Sequence, residues 1–194
     1  MTTVGVLALQ GDVREHQAML EGLGVDVIRV RRLAELTAVD GLVIPGGEST
    51  TIDKLLRAFD LRDALVERIA AGLPVLGSCA GMVLLARDLR DGIEGQQTLG
   101  AIPMTVRRNA FGRQVDSAEV DLVWEPDGSP MHATFIRAPW VESYDDGVEV
   151  LATATGPDGE RHPVAVRHGA AIATSFHPEI SADTRVHELL LSQV

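Results

Sequence analysis

The chain is predicted to be α/β, a single domain with a mostly parallel central sheet flanked by helices and extended by antiparallel strands. Three observations carry this. The N-terminal half contains short runs without a polar residue, at 4–9, 41–44 and 75–76. Strands apolar on both faces belong to buried parallel sheets. These runs alternate with segments of helical spacing, the order that winds a parallel sheet with right-handed crossovers. After Gly100 the rhythm changes to closely spaced short strands between Gly, Pro and Asp clusters.

Taken in order, residues 4–9 form a first strand that ends in Gln10-Gly11. Asp12 can cap a helix running to about Leu23, with Val13, His16, Gln17 and Leu20 down one side. Residues 25–30 read as a second strand and 33–36 as at most a helical turn. The third strand, 41–44, runs into Pro45-Gly46-Gly47-Glu48-Ser49-Thr50-Thr51, where Ser49 or Thr50 caps a helix carrying Ile52, Leu55, Leu56 and Phe59. A further helix holds Leu61, Leu65, Ile69 and Ala70 and leads to the strand at 75–76. In the second half, 104–108, 115–123, 133–136, 148–153, 164–167 and 171–176 have strand patterning. A helix over 182–191 places Val186, Leu189 and Leu190 on one face. The later strands are expected to join the same sheet, so that 1–194 is one domain.

Bulk properties narrow the function. A length of 194 residues suffices for one substantial core. A net charge of −11 argues against nucleic-acid and anionic-membrane partners, both of which need basic patches. The single Cys excludes an internal disulfide, cannot build a Cys-based zinc site alone, and fits a reducing compartment. Met1-Thr2-Thr3 has no basic leader, and the apolar run at 73–86 is too short to span a bilayer. A cytoplasmic setting is expected.

The stretch around that Cys carries the chemistry. Gly77-Ser78-Cys79-Ala80-Gly81 follows the Val75-Leu76 strand and opens a helix at Ala80. This is the nucleophile-elbow pattern with Cys in place of Ser. Glycines on either side let a strand turn sharply into a helix. The helix N-terminus favours an anionic sulfur, and the Ala80 N–H is free to face an oxyanion. The alternative is that Cys79 is a small buried hydrophobe.

A thiol needs a base, and the base an orienter. Of the six His, His16 and His187 sit in helical patterns and read as structural or solvated. His132, His162 and His168 sit in polar, turn-like contexts. His177 follows an apolar strand and precedes Pro178-Glu179. In an extended His-Pro-Glu the first and third side chains point the same way, so Glu179 can reach the ring. A surface His at a turn is the other reading. Gly46-Gly47, at a strand end, offers a second oxyanion donor. Arg108 and Arg137 each follow a short strand; a converging pair would suit a free α-carboxylate, while single arginines there are commonly solvated.

The combination of Pro45 to Thr51, the Cys79 elbow and Ser175-Phe176-His177-Pro178-Glu179 resembles the class I, triad-type glutamine amidotransferases. More closely, Leu9-Gln10-Gly11 with Arg14-Glu15-His16, the stretch from Arg108 to Ser117, and Phe135-Ile136-Arg137-Ala138-Pro139 resemble the glutaminase subunits of pyridoxal 5′-phosphate synthase. The resemblance implies Cys79 as nucleophile with His177 and Glu179 completing a triad. It implies glutamine contacts from Gly47, Glu48, Ser49, Arg108, Ile136 and Arg137. It also implies a synthase partner, in a hetero-oligomer, that condenses a pentose phosphate and a triose phosphate with the released ammonia. Gly47 and Ala80 then form the oxyanion hole, and Gln10 and Gly11, on the same rim, are a docking point for the partner. No metal or organic cofactor is called for. The segments 88–98 and 125–130 match no motif of these families. Glutaminase service to another synthase, another cysteine hydrolase on a related fold and a non-catalytic scaffold subunit are the rival readings. An Arg pair aimed at a free carboxylate speaks against a peptidase, and an intact Cys79, His177 and Glu179 against the scaffold.

Overall fold

The computed structural model of the chain describes residues 2–111, 117–181 and 183–194. The first half alternates strands and helices as expected: β1 (Thr3–Leu7), α1 (Val13–Gly22), β2 (Asp26–Val30), α2 (Leu33–Thr37), β3 (Gly41–Ile44), α3 (Ser49–Ala58), α4 (Arg62–Ala70), β4 (Val75–Ser78) and α5 (Ala80–Leu85). The second half is strand-rich: β5 (Ala86–Arg90), β6 (Ile102–Arg107), β7 (Ala118–Trp124), β8 (Ser129–Phe135), β9 (Trp140–Tyr144), β10 (Glu149–Thr155), β11 (Arg161–His168) and β12 (Ala171–Thr174), closed by α6 (Arg185–Leu191).

The central sheet has seven strands in the order β10-β11-β12-β4-β3-β1-β2. The run β12-β4-β3-β1-β2 is parallel throughout, and β10 and β11 extend it antiparallel at one edge. The expected α/β class is therefore the observed one. One expectation needs correcting. Of the later strands only β10, β11 and β12 join the main sheet; β5-β6-β9 form a separate three-stranded sheet and β7-β8 a two-stranded one. Residues 115 and 116 of the expected 115–123 strand lie outside the described residues, and β7 begins at Ala118.

Every residue of β3 and β4 is buried. The alternation of a strand divides them between two cores. Leu42, Ile44 and Val75 pack on one face with Ile52 and Leu56 of α3, Leu65 of α4 and Met82 of α5. Val43 and Leu76 pack on the other with Leu20 of α1, Val186 and Leu190 of α6, and Leu122 and Phe135 of the β7-β8 ribbon. With both faces covered, polar groups can surface at the C-terminal strand ends, where open parallel sheets hold their sites. Among the described residues, no helix is long and apolar enough to cross a membrane.

Candidate active site

The elbow forms because β4 and α5 are forced together. A Cβ on Gly77 would sit 2.6 Å from the Gly81 carbonyl, and one on Gly81 would sit 2.3 Å from the Ile44 oxygen. Only glycine admits that approach. Cys79, between them, is the N-cap of α5 with φ 47° and ψ −98°. Such a backbone costs a non-glycine residue about 1–3 kcal/mol. It is held by the Cys79 N–H donating to the Thr174 oxygen at 2.8 Å and the Val83 N–H donating to the Cys79 oxygen at 3.3 Å. The thiol is 8% exposed and lies 3.8 Å from the Ile136 oxygen. Ala80 is the first residue of α5, so its N–H has no acceptor within the helix.

The histidine arrives from the neighbouring strand. β12 lies parallel to β4 with Thr174 opposite Ser78, which brings the residues beyond each strand end to the same place. His177-Pro178-Glu179 is not extended, as expected, but turned: the Ile180 N–H donates to the His177 oxygen at 3.2 Å. The fixed φ of proline suits the second position of such a turn. The contact expected of an extended segment is made all the same, with His177 Nδ1 2.7 Å from Glu179 Oε1. The Glu179 side chain is fully buried, and that of His177 is 5% exposed.

Electrostatics follow from this packing. Burial alone would lower the His177 pKa, but its interactions with Cys79 and Glu179 outweigh it and raise the value to about 10. The ring is thus held as imidazolium through neutral pH. Burial raises the Glu179 pKa against the pull of His177. Asp12, expected only as a helix cap, makes no side-chain cap on α1 and instead places Oδ2 3.4 Å from His177 Nδ1. Asp12, His177 and Glu179 have donor atoms within 4.8 Å of one another, a spacing open to a metal ion, and here His177 Nδ1 is hydrogen-bonded to Glu179.

A second loop closes the site. A Cβ on Gly46 would meet His177 Cε1 at 2.4 Å, so the ring rests directly on this backbone. Gly47 has φ 148°, and a Cβ there would lie 2.5 Å from Gln10 Oε1. That oxygen accepts the Glu48 N–H at 2.8 Å. Gly11 packs against the Gly46 oxygen, leaving no room for a side chain. Gln10 and Gly11 therefore share a rim with Gly47.

The capping expectation at α3 is corrected: Glu48, not Ser49 or Thr50, is the N-cap. Its carboxylate accepts from the Thr51 N–H at 2.8 Å and the Thr50 N–H at 3.3 Å. Burial opposes ionisation, but these hydrogen bonds prevail and lower its pKa. Arg108 is drawn into the same cluster. It donates to Glu48 Oε1 at 2.9 Å, Gln96 Oε1 at 3.0 Å and Thr50 Oγ1 at 3.2 Å. Gln96 Nε2 in turn donates to Ser49 Oγ at 3.0 Å. Arg137 is exposed, with φ 45°.

One cavity of about 410 Å³ gathers Gln10, Gly47, Glu48, Ser49, Cys79, Ala80, Arg108, Ile136, Arg137 and His177. That volume suits a small molecule. Glu179 stands behind His177, outside the lining. Sequence reasoning missed Asp12, the Gly46 contact, Gln96 in the unmatched 88–98 segment, and two histidines. His16 and His187 are both fully buried, which removes the solvated reading for each. The signal for His16 was its place four residues before the buried Leu20 on the inward side of α1.

The fold that carries this cysteine and His–Glu pair has counterparts among solved structures. The crystal structure of a glutamine amidotransferase superposes with a TM-score of 0.89 at 45% identity, over 98% of this chain and 97% of that one. PurLQS from Thermotoga maritima gives a TM-score of 0.70 at 16% identity, over 98% of this chain and 97% of that one, a likeness of fold alone. The chain belongs to the SNO glutamine amidotransferase family, whose model matches residues 6–194. Among its relatives, the pyridoxal 5′-phosphate synthase subunit PdxT of Mycobacteroides abscessus is 62% identical over 191 residues, covering 98% of this chain and 96% of that protein. The subunit of the same name from Kineococcus radiotolerans is 61% identical over 196 residues, covering 99% and 94%.

Proposed function

We propose that Cys79, His177 and Glu179 are the catalytic triad with which this glutaminase hydrolyses the side-chain amide of L-glutamine, in the service of a pyridoxal 5′-phosphate synthase. The observation that carries the reading is that His177, 2.7 Å from the buried Glu179 behind it, shares one cavity with a strained Cys79. The Cys79 sulfur attacks the amide carbon, and the carbonyl electron pair moves onto oxygen. The Gly47 and Ala80 N–H groups receive that oxyanion. His177, as imidazolium, gives its proton to the departing ammonia, leaving a thioester. Water then attacks the thioester with His177 taking its proton, which releases glutamate and the thiolate. Glu179 keeps the imidazole in one tautomer and offsets its charge. These steps use side chains and backbone donors alone.

Arg108 and Arg137 face the α-carboxylate of glutamine, and Glu48, Ser49 and Ile136 complete its pocket. Arg108 is held by Glu48, Gln96 and Thr50, so little ordering remains on binding. The ammonia passes to a synthase subunit bound at the Gln10-Gly11 rim in a hetero-oligomer, in the cytoplasm, where a lone thiol stays reduced. Docking there gates the reaction. Gln10 touches both Gly47 and the Glu48 N–H, so a partner that moves Gln10 turns the Gly46-Gly47 peptide and its N–H donor. A missing oxyanion donor costs roughly 10²–10³ in kcat. The test is glutamate and ammonia release from L-glutamine, with and without saturating synthase. Release should be slow alone, fast with the synthase, and absent in Cys79→Ala. Activity persisting in that variant would remove Cys79 from the chemistry. Full activity without the synthase would remove the gate and leave the triad.

A further inference from the structure

Behind Glu179 lies a second set of buried polar groups that the reaction scheme does not use. Glu179 Oε1 is taken by His177, while its other oxygen, Oε2, is buried with no hydrogen-bond partner among the described residues and lies 3.3 Å from His16 Nε2. This approach is a close charge–dipole contact, not a hydrogen bond. His16 reaches it from α1, at the far end of the chain. The same Nε2 is 2.9 Å from Ser78 Oγ, and His16 Nδ1 is 2.9 Å from His187 Nε2 on α6. His187 Nδ1 has no partner among the described residues.

Two proton arrangements fit these distances. In one, His187 Nε2–H donates to His16 Nδ1, and His16 Nε2–H donates to Ser78 Oγ with its positive edge 3.3 Å from Glu179 Oε2. The unpartnered His187 Nδ1 is then a bare acceptor. In the other, the Ser78 hydroxyl donates to His16 Nε2, and His16 Nδ1–H donates to His187. That leaves a buried, unpaired N–H on His187 and sets the His16 lone pair against a carboxylate oxygen. Orphaned buried donors and opposed lone pairs both cost free energy, so the first arrangement prevails. Burial keeps both rings neutral: it lowers the pKa of His16 well below its ordinary value, with the repulsion a second proton would meet from a protonated His187 and from His177 adding to it, and takes His187 to about 4.

We propose that His16 is a positioning residue for glutamine hydrolysis, the positive Nε2–H edge of its ring holding the otherwise unpartnered second oxygen of Glu179 by close approach while His187 fixes its tautomer. The inference rests on the triad reading. Glu179 then stands between two imidazoles, with one oxygen orienting His177 and the other tied to the α1–α6 side of the sheet. Without the His16 donor the carboxylate is free to rotate or take up a proton, and His177 loses its alignment. Substrate contacts are untouched, so the loss falls on kcat rather than KM.

The experiment compares wild type, His16→Leu, His16→Gln and Cys79→Ala, each with saturating synthase, reading kcat, KM and melting temperature. His16→Leu is expected to lower kcat roughly tenfold or more with KM kept within about twofold. His16→Gln, whose amide nitrogen can donate from near the imidazole Nε2 position, should recover most of the loss. Wild-type kcat in His16→Leu, or equal losses in both variants that track melting temperature, would overturn the role of His16 and leave the triad standing. Activity in Cys79→Ala would overturn the triad, and this inference with it. Should His16→Leu fail to fold, ¹⁵N shifts of the wild-type imidazoles decide the matter. A protonated Nε2 and bare Nδ1 on His16 are expected; the reverse tautomer overturns the proposal.

Discussion

Cys79 carries a conformational burden that its neighbours sustain. Its φ of 47° suits glycine, and the strain is relieved if the side chain is removed. Cys79→Gly is therefore expected to be inactive and to melt higher than Cys79→Ala, with the two compared by thermal denaturation. A lower melting point for the glycine variant would show that the thiol position is unstrained. Arg108→Ala should raise KM with kcat nearly intact, at a cost of about 1.5–3 kcal/mol for removing a charged hydrogen-bond donor; steady-state kinetics with glutamine separates the two constants. The proton on His177 gives a pH signature. Its folded pKa of about 10 exceeds the ordinary 6.5, so the stabilisation from its pairing is complete below 6.5 and fades as pH rises toward 10. In the proposed reaction the proton for the leaving ammonia is then available over the same range. The alkaline limb of kcat/KM is expected well above neutrality, and a fall centred near about pH 7 would contradict the ion pair.

Where β4 meets α5, backbone contacts replace side-chain packing. Gly81→Ala would drive a methyl group to 2.3 Å from the Ile44 oxygen. The overpacking should cost about 1–3 kcal/mol, measured as a lower urea midpoint, and should disturb the thiol as well. Unchanged stability would mean that α5 can slide away from β3. This part of the fold was legible in the sequence, because continuous apolar runs ending in glycine admit few structures. The same holds for the elbow and for the His-Pro-Glu pairing. β5 and β9 were missed for a physical reason: three of the five residues in each are exposed, so neither shows the burial pattern that marks a strand. The Glu48 cap was missed because Ser and Thr, the usual capping residues, stand directly after it. His16 was not legible as a partner of Glu179, since nothing local records a contact between opposite ends of the chain.

For the molecule as a whole, two neutral histidines sealed between α1, β4 and α6 set a limit on acid tolerance. Each has a folded pKa below the ordinary 6.5, so the unfolded chain binds more protons as pH falls. The contribution of these two rings should be unchanged above 6.5, and stability should decline from there toward 4, by about 3 kcal/mol at full extent for His187 alone. Urea midpoints taken between about pH 7 and 4.5 test this. The decline should be shallower in His187→Gln, and a flat profile for the wild type would mean the rings are not buried as neutral species.

The pairing of Thr174 with Ser78 across β12 and β4 has a mechanical consequence. Sulfur and imidazole each follow within three residues of that rung, so the sheet's own ladder works as a ruler between them. A slip of one residue would carry His177 about 3.3 Å along the strand and turn its side chain to the opposite face. Only Ser175 and Phe176 separate the imidazole from that rung, and Cys79 follows it directly. In the proposed gate the adjustable half of the site is the opposite bank, where glycine backbone and the Gln10 amide meet. Amide exchange should report this division as two tempos, with β4 and β12 opening only when the whole molecule unfolds and the 46–48 loop exchanging far sooner.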